Sequence, residues 1–162
     1  MSMGLNTPKT HMGKTLRQLW QQPGILMLPG AFNAAVAKLI EQAGFPGVYI
    51  TGAGLINGIT GYPDIGMLSL TEVVQFAGYI ANAVNVPVIC DADTGYGEAL
   101  QVMRTVQLFE QAGITAIHLE DQLSPKRCGH LDGKQVISTQ AMQAKIAAAC
   151  HARKSPDFCI IA

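Results

Sequence analysis

Charge is scarce in this chain. Asp, Glu, Lys and Arg make up 14% of its 162 residues, and 11 acids against 11 bases leave a formal net charge of +0. That balance gives no electrostatic case for nucleic acid or an anionic membrane surface as a partner. Long apolar runs are missing too. Although 49% of the residues are hydrophobic, no run approaches the roughly 20 residues that span a bilayer. The opening stretch, MSMGLNTPKTHMGK, has no apolar core of the kind a secretory signal carries. There is no C-x-x-C pair. Cys90, Cys128, Cys150 and Cys159 lie far apart, which argues against a zinc site or a disulfide framework and for reduced thiols in a cytoplasm. No G-x-G-x-x-G follows the first apolar run, so a dinucleotide-binding reading lacks its main support. The composition is that of a globular protein with much buried surface, and the length suggests one domain.

What the chain does contain is a repeated unit of short apolar run, polar loop and amphipathic helix. Residues 1–14 read as a flexible lead. Thr15 to Gln22 reads as a short helix ended by Pro23-Gly24. The expected strands are Ile25–Leu28, Val48–Thr51, Val86–Cys90, Ala116–Glu120 and Phe158–Ile161. Helices are expected at Asn33–Gln42, Ser69–Val84, Glu98–Gln111 and Ser138–Arg153. Gly44 and Gly113 stand where helix C-terminal glycines belong, and Ser69-x-x-Glu72 has the form of a capping box. The glycine-rich stretch GAGLINGITGYPDIGM reads as a long loop. Strands alternating with helices at this spacing mean parallel β/α units. The polar residues follow the second, third and fourth strands, as in a (β/α)8 TIM-type barrel with its site at the C-terminal mouth. Such a barrel takes about 250 residues. The expectation is therefore a single barrel domain over residues 15–162, truncated after about five β/α units, as in a fragment or shortened gene product.

Two stretches carry candidate chemistry. In VPVICDADTGYG, a buried strand ends in Asp91 and Asp93. Residues two apart on an extended strand point to the same side. Paired carboxylates repel, and a hard cation such as Mg²⁺ or Mn²⁺ relieves them. A bare D-x-D taken alone reads better as two solvated turn aspartates. His118 and Glu120 repeat the spacing on the adjoining strand, where a lone His118 reads as a satisfied core histidine. Together the two pairs point to a metal site. In PKRCGHLDGK, Cys128 sits beside Arg127 and His130. Nearby cations favour the thiolate and fit such a thiol for acid/base work. Gly129 offers an open backbone N–H and His130 a second donor, both suited to a carboxylate. The plainer reading is a solvated basic turn.

VYITGAG, GYPDIG, DADTGYG, IHLEDQ and PKRCGH stand here in the order seen in the phosphoenolpyruvate mutase/isocitrate lyase superfamily, which the chain resembles from about Leu16 to Ala162. The pattern is most similar to the 2-methylisocitrate lyase and 2,3-dimethylmalate lyase branch, whose cysteine lies in the last motif. The resemblance implies that Asp91 ligates Mg²⁺ (Mn²⁺ being possible) and that Asp93, Asp64 and Glu120 contribute, in part through water. It implies that Thr51, Gly52, Ala53, Gly129 and His130 bind a small carboxylate substrate, and that Cys128 is the general acid/base. His118 would support the metal shell or a developing oxyanion. Full-length members form homo-oligomers, usually tetramers. Thr51-Gly52-Ala53 replaces a more typical Ser-Gly-Gly, which leans the reading away from strict methylisocitrate lyase and towards a dimethylmalate-type or other short-chain carbon–carbon lyase. The family arginine after the fifth strand would fall just past Ala162.

The chemistry implied is Mg²⁺-dependent cleavage of a 2-hydroxy di- or tricarboxylate to an α-keto acid such as pyruvate and a second carboxylate. The alternatives are an oxaloacetate decarboxylase or related 2-oxo-acid enzyme of the same superfamily, and a non-catalytic fragment. The 162-residue chain by itself is expected to self-associate and to be inactive.

Overall fold

The structure, a computed structural model, describes residues 12–162. Most of the expected N-terminal lead, residues 1–11, lies outside the described residues. Its last three residues already belong to α1 (Met12–Trp20), which begins ahead of the expected Thr15 and buries Leu16 completely. Five strands follow: β1 (Gly30–Ala31), β2 (Val48–Ile50), β3 (Val88–Asp91), β4 (Ala116–His118) and β5 (Cys159–Ile161). All pair in parallel in the order β1-β2-β3-β4-β5. Strands adjacent in sequence are adjacent in the sheet throughout, with no switch point. That is the winding of a (β/α) barrel and not of a doubly wound sheet. The helices α2 (Ala34–Gln42), α3 (Gly52–Thr60), α4 (Leu70–Ala83), α5 (Ala99–Gln111) and α6 (Thr139–Ala152) make the connections. None is long and apolar enough to cross a membrane.

Alternation along the strands sorts their side chains into two sets. Val48, Ile50, Val88, Cys90 and Ile117 join the larger core with Val73, Ile80, Val102, Val106 and Phe109 from the helices. Tyr49, Ile89, Ala116 and Cys159 belong to a second cluster, with Leu16, Leu26 and Leu28. These four strand residues are in register across β2 to β5, so they form one inner layer. The next inner layer towards the strand C-termini is Asp91, His118 and Ile161, again in register. The inner face changes from apolar to polar at that layer.

Two expected elements move. The first strand lies at Gly30–Ala31 and not at Ile25–Leu28, where Ile25 is 94% exposed. Pro29 has no N–H to give a ladder, so pairing starts from its carbonyl, which accepts from Tyr49 N–H. The glycine-rich stretch expected as loop begins with α3. Thr51 Oγ1 accepts from Gly54 N–H at its start, and Gly61, at φ 71, ends it. Gly54 and Gly58 serve packing here. A Cβ on either would lie 3.2 or 3.0 Å from the Phe32 side chain. The remaining helices fall within a residue or two of expectation, and Ser69 with Glu72 forms the capping box.

Two helix ends are built alike. Glu41-Gln42-Ala43-Gly44 closes α2, and Glu110-Gln111-Ala112-Gly113 closes α5. Gly44 and Gly113 are left-handed, at φ 86 and 89. Phe45 and Ile114 N–H then return to the Ile40 and Phe109 carbonyls, a Schellman closure. Both glutamates also reach beyond their own helix. The Glu41 carboxylate accepts from Asn85 N–H at 2.6 Å, and Glu110 accepts from Lys154 and Ser155 N–H at 2.8 and 2.6 Å. Each ties a helix end to the turn that feeds the strand after the next.

Glu110→Ala should destabilise the chain by about 1–3 kcal/mol, the usual range for losing hydrogen bonds to a charged group. Glu41→Ala, which loses one such contact, should cost less. Chemical denaturation of both variants measures the difference.

Candidate active site

The Asp91 carboxylate lies against the first residue of α3. A Cβ built at Gly52 would sit 2.6 Å from Asp91 Oδ2, so only glycine leaves room for it. Beyond Asp91 the backbone departs from the strand. Asp93 and Tyr96 adopt φ 47 and 61, left-handed values uncommon outside glycine, and Gly95 and Gly97 are positive as well. Three bonds fix the turn. Asp93 N–H donates to Asp91 Oδ1 at 3.0 Å, Glu120 N–H to the Asp93 carbonyl at 2.8 Å, and Gly95 N–H to the Ala92 carbonyl at 2.9 Å. The alternation expected to put Asp91 and Asp93 on one side therefore stops at Asp91. The Asp93 carboxylate turns to Lys126, whose Nζ lies 2.7 Å from Asp93 Oδ1 and 2.7 Å from Asp64 Oδ1. Two acids expected to serve a metal ion share an ammonium group here.

Asp91, His118 and Glu120 line one cavity of about 570 Å³ with Tyr49, Gln122, Gly129 and Lys134. Tyr49 Oη and His118 Nδ1 are hydrogen-bonded at 3.0 Å, their rings edge to face. The other expected residues do not line this cavity: Thr51, Gly52, Ala53, Asp64, Asp93, Cys128 and His130. Gly52 touches it through Asp91. The Thr51 hydroxyl caps α3. Cys128 is half-buried, with Sγ 3.7 Å from His130 Nδ1, one residue from the cavity wall at Gly129.

Three residues that organise the site escaped the sequence reading. Tyr49 is the inward-facing middle residue of VYI, and its polar tip among apolar neighbours was the available signal. Lys126 is 5% exposed, a burial that a basic motif does not announce. Gln122 follows the HLED stretch directly. Its side chain donates to Glu120 Oε2 at 2.8 Å and to the Arg127 carbonyl at 2.9 Å, and accepts from Arg127 N–H at 3.1 Å. An isolated antiparallel bridge between Gln122 and Val136 closes the loop's base. The cysteine loop is thus anchored at Lys126–Arg127, while its tip at Gly129 and His130 is exposed.

Burial, reinforced by the Asp91 charge, raises the carboxyl pKa of Glu120. Burial also raises that of Asp93, where Lys126 opposes it and Asp91 and Asp64 add to it. The Tyr49 phenol is pushed up by burial and then by Asp91. Burial alone would lower the Lys126 pKa, but the Asp93 charge and the hydrogen bonds to Asp64 and Asp93 outweigh it and keep the ammonium charged. One ammonium among four carboxylates leaves an excess of negative charge, which a divalent cation fits. No three His, Cys, Asp or Glu side chains among the described residues converge closely enough to hold an ion unaided. Mg²⁺ does not require that, since it keeps several waters and takes one or two carboxylates directly.

Residues 16–162 match the protein-family model described as phosphoenolpyruvate phosphomutase. Over 147 residues the chain is 47% identical to 2,3-dimethylmalate lyase of Eubacterium barkeri, covering 91% of this chain and 51% of that protein. Over 155 residues it is 48% identical to 2-methylisocitrate lyase of Aeropyrum pernix, covering 96% and 49%. A solved structure of oxaloacetate acetylhydrolase with 3,3-difluorooxalacetate matches with a TM-score of 0.88 at 35% identity, over 96% of this chain and 54% of that one. A phosphonopyruvate hydrolase complex with oxalate and Mg²⁺ matches with a TM-score of 0.81 at 35% identity, over 92% and 50%. The chain spans about half the length of the curated relatives it matches.

Glu120 should leave a pH signature. Its raised pKa means that the folded chain binds the proton more tightly than the unfolded chain does. At pH 7 the ionised group opposes folding, and this penalty fades as pH falls through the raised pKa. Glu120→Gln should therefore raise the melting temperature at pH 7 in EDTA, modestly because the group is partly solvated. The gain should vanish below about pH 4, where the unfolded glutamate is protonated too. Thermal melts of parent and variant across that range measure it.

Proposed function

We propose that this chain, which belongs to the phosphoenolpyruvate mutase/isocitrate lyase superfamily, acts in Mg²⁺-dependent carbon–carbon cleavage of a 2-hydroxy di- or tricarboxylate of the 2,3-dimethylmalate or 2-methylisocitrate type. The observation that carries the reading is the cavity at the strand ends. There Asp91, Glu120 and the Tyr49–His118 pair meet the base of a cysteine-bearing loop. The identity to two lyases of this branch supports the substrate class. Asp91 would hold the ion directly, with Glu120, Asp93 and Asp64 reaching it through water, and it would polarise the substrate's 2-oxygen.

The remaining steps fall to the protein. The backbone N–H groups at the start of α3, at Gly52 and Ala53, and the exposed Gly129 N–H receive substrate carboxylates. Thr51 holds that helix end in place. Glu120, with its raised pKa, takes the 2-hydroxyl proton through water. His118, with Nδ1 occupied by Tyr49, offers Nε2 to the negative charge growing on the 2-oxygen. As the carbonyl forms, the C2–C3 electron pair goes to C3, and Cys128 protonates that carbon. His130, 3.7 Å from Sγ, returns a proton to the thiolate. Pyruvate and a second carboxylate leave. The enzyme works as a homo-oligomer in the cytoplasm, a setting that suits its four free cysteines.

A second reading, action on a 2-oxo acid such as oxaloacetate, draws on the likeness to oxaloacetate acetylhydrolase. Products separate the two readings: pyruvate with propionate from 2,3-dimethylmalate, or oxalate with acetate from oxaloacetate.

The test joins residues 16–162 to the C-terminal half of the Eubacterium barkeri lyase and follows pyruvate release with Mg²⁺. Turnover is expected. Cys128→Ser should slow it by about 10²–10⁴-fold, the usual worth of a positioned acid/base, while Mn²⁺ affinity stays unchanged. Asp91→Asn should lose both turnover and Mn²⁺ binding. Undiminished turnover in Cys128→Ser would remove the thiol from the mechanism.

A further inference from the structure

Lys145 lies on α6 and is only 3% exposed. Lysine is almost never buried so fully unless paired, yet among the described residues it forms no ion pair. Its Nζ donates instead to the carbonyl of Thr94, 51 residues earlier, at 3.1 Å. Thr94 belongs to the left-handed turn that carries Asp93. The neighbouring carbonyl, that of Gly95, accepts from Thr105 Oγ1 at 2.9 Å, and Thr105 is a fully buried residue of α5. Two consecutive carbonyls of one turn are thus gripped by two helices. Neither donor lines the cavity with Asp91 and Glu120. Four residues between 93 and 97 have positive φ, two of them not glycine. Conformations of that kind persist only where the surroundings hold them. The bonds of Asp93 to Asp91 and Glu120 hold the turn from the side of the site. Lys145 and Thr105 hold it from the helices.

We infer that Lys145 is a positioning residue for the cation-binding turn: with Thr105 it fixes the peptide planes at Thr94 and Gly95, and so sets the pose of Asp93 beside Asp91. The inference rests on the proposed divalent-cation site, but its first test does not. Lys145→Met keeps the length of the side chain and removes the donor. Thr105→Val removes the second donor without touching a charge. Hydrogen exchange of the 162-residue chain, without metal, should show the amides of Asp93 and Gly95 opening about tenfold faster in Lys145→Met, the consequence of losing one charge-assisted bond. The amides of β3 should keep the parent's rates. Thr105→Val should show the same local pattern more weakly. In the second arm, Mn²⁺ affinity measured by electron paramagnetic resonance should weaken about tenfold in Lys145→Met. Unchanged exchange at Asp93 and Gly95 in either variant would overturn the inference. So would faster exchange spread evenly over α5, α6 and β3, the mark of a merely structural lysine. If Lys145→Met does not fold, the Thr105→Val exchange decides. If the parent binds no Mn²⁺, the metal reading fails, and the exchange arm still decides the role of Lys145.

Discussion

The Lys126 ammonium group joins three parts of the chain far apart in sequence: Asp64 after α3, Asp93 after β3, and its own loop after β4. All three groups are largely withdrawn from water. Separated, each charge would stand desolvated without a partner, which is why breaking such a set costs far more than its formation contributes. The cysteine loop takes its starting point from this contact, because Arg127, the next residue, is clamped by Gln122. Cys128, Gly129 and His130 then extend from a fixed base. The position of the groups on that loop relative to Asp91 depends on this ion pair together with the Gln122 clamp and the Gln122–Val136 bridge.

The layers of the sheet explain why the site lies where it does. Tyr49, Ile89, Ala116 and Cys159 close the inner face with apolar groups, and one step further Asp91 and His118 stand in register. The carboxylate stands above that apolar layer, with Gly52 leaving it room on the side of α3 and the cavity on another. The fold thus concentrates negative charge at one level and covers it from one direction.

Much of this was legible in the sequence. Short apolar runs between polar loops gave β2, β3 and β4, and helical periodicity with Ser69-x-x-Glu72, Gly44 and Gly113 gave the helices other than α3. Five motifs in order gave the superfamily. The alternation that pairs Asp91 with Asp93 failed because a strand rule was carried two residues past the strand, into a turn whose left-handed backbone depends on bonds to Glu120. α3 was hidden because glycine lowers helix propensity, while the Phe32 side chain that its glycines make room for lies 22 and 26 residues before Gly54 and Gly58. Lys126 and Gln122 look like ordinary solvated loop residues in one dimension. Lys126 is buried against Asp64 and Asp93, acids that the fold brings to it from far away in the chain, and Gln122 is buried by bonds to Glu120 and to the Arg127 backbone that depend on how the loop folds back.

The matched ends of α2 and α5 divide the chain in a further way. β1-α2-β2-α4 and β3-α5-β4-α6 each hold one Glu-Gln-Ala-Gly turn, and each glutamate grips the turn that leads out of its own group of elements. The same clasp thus recurs once per strand pair, at Asn85 and at Lys154–Ser155, while the sheet and the larger core run unbroken past it. Each glutamate holds the exit of one strand pair at a fixed distance from a helix end earlier in that pair, so the helix layer and the sheet keep step with each other along the chain.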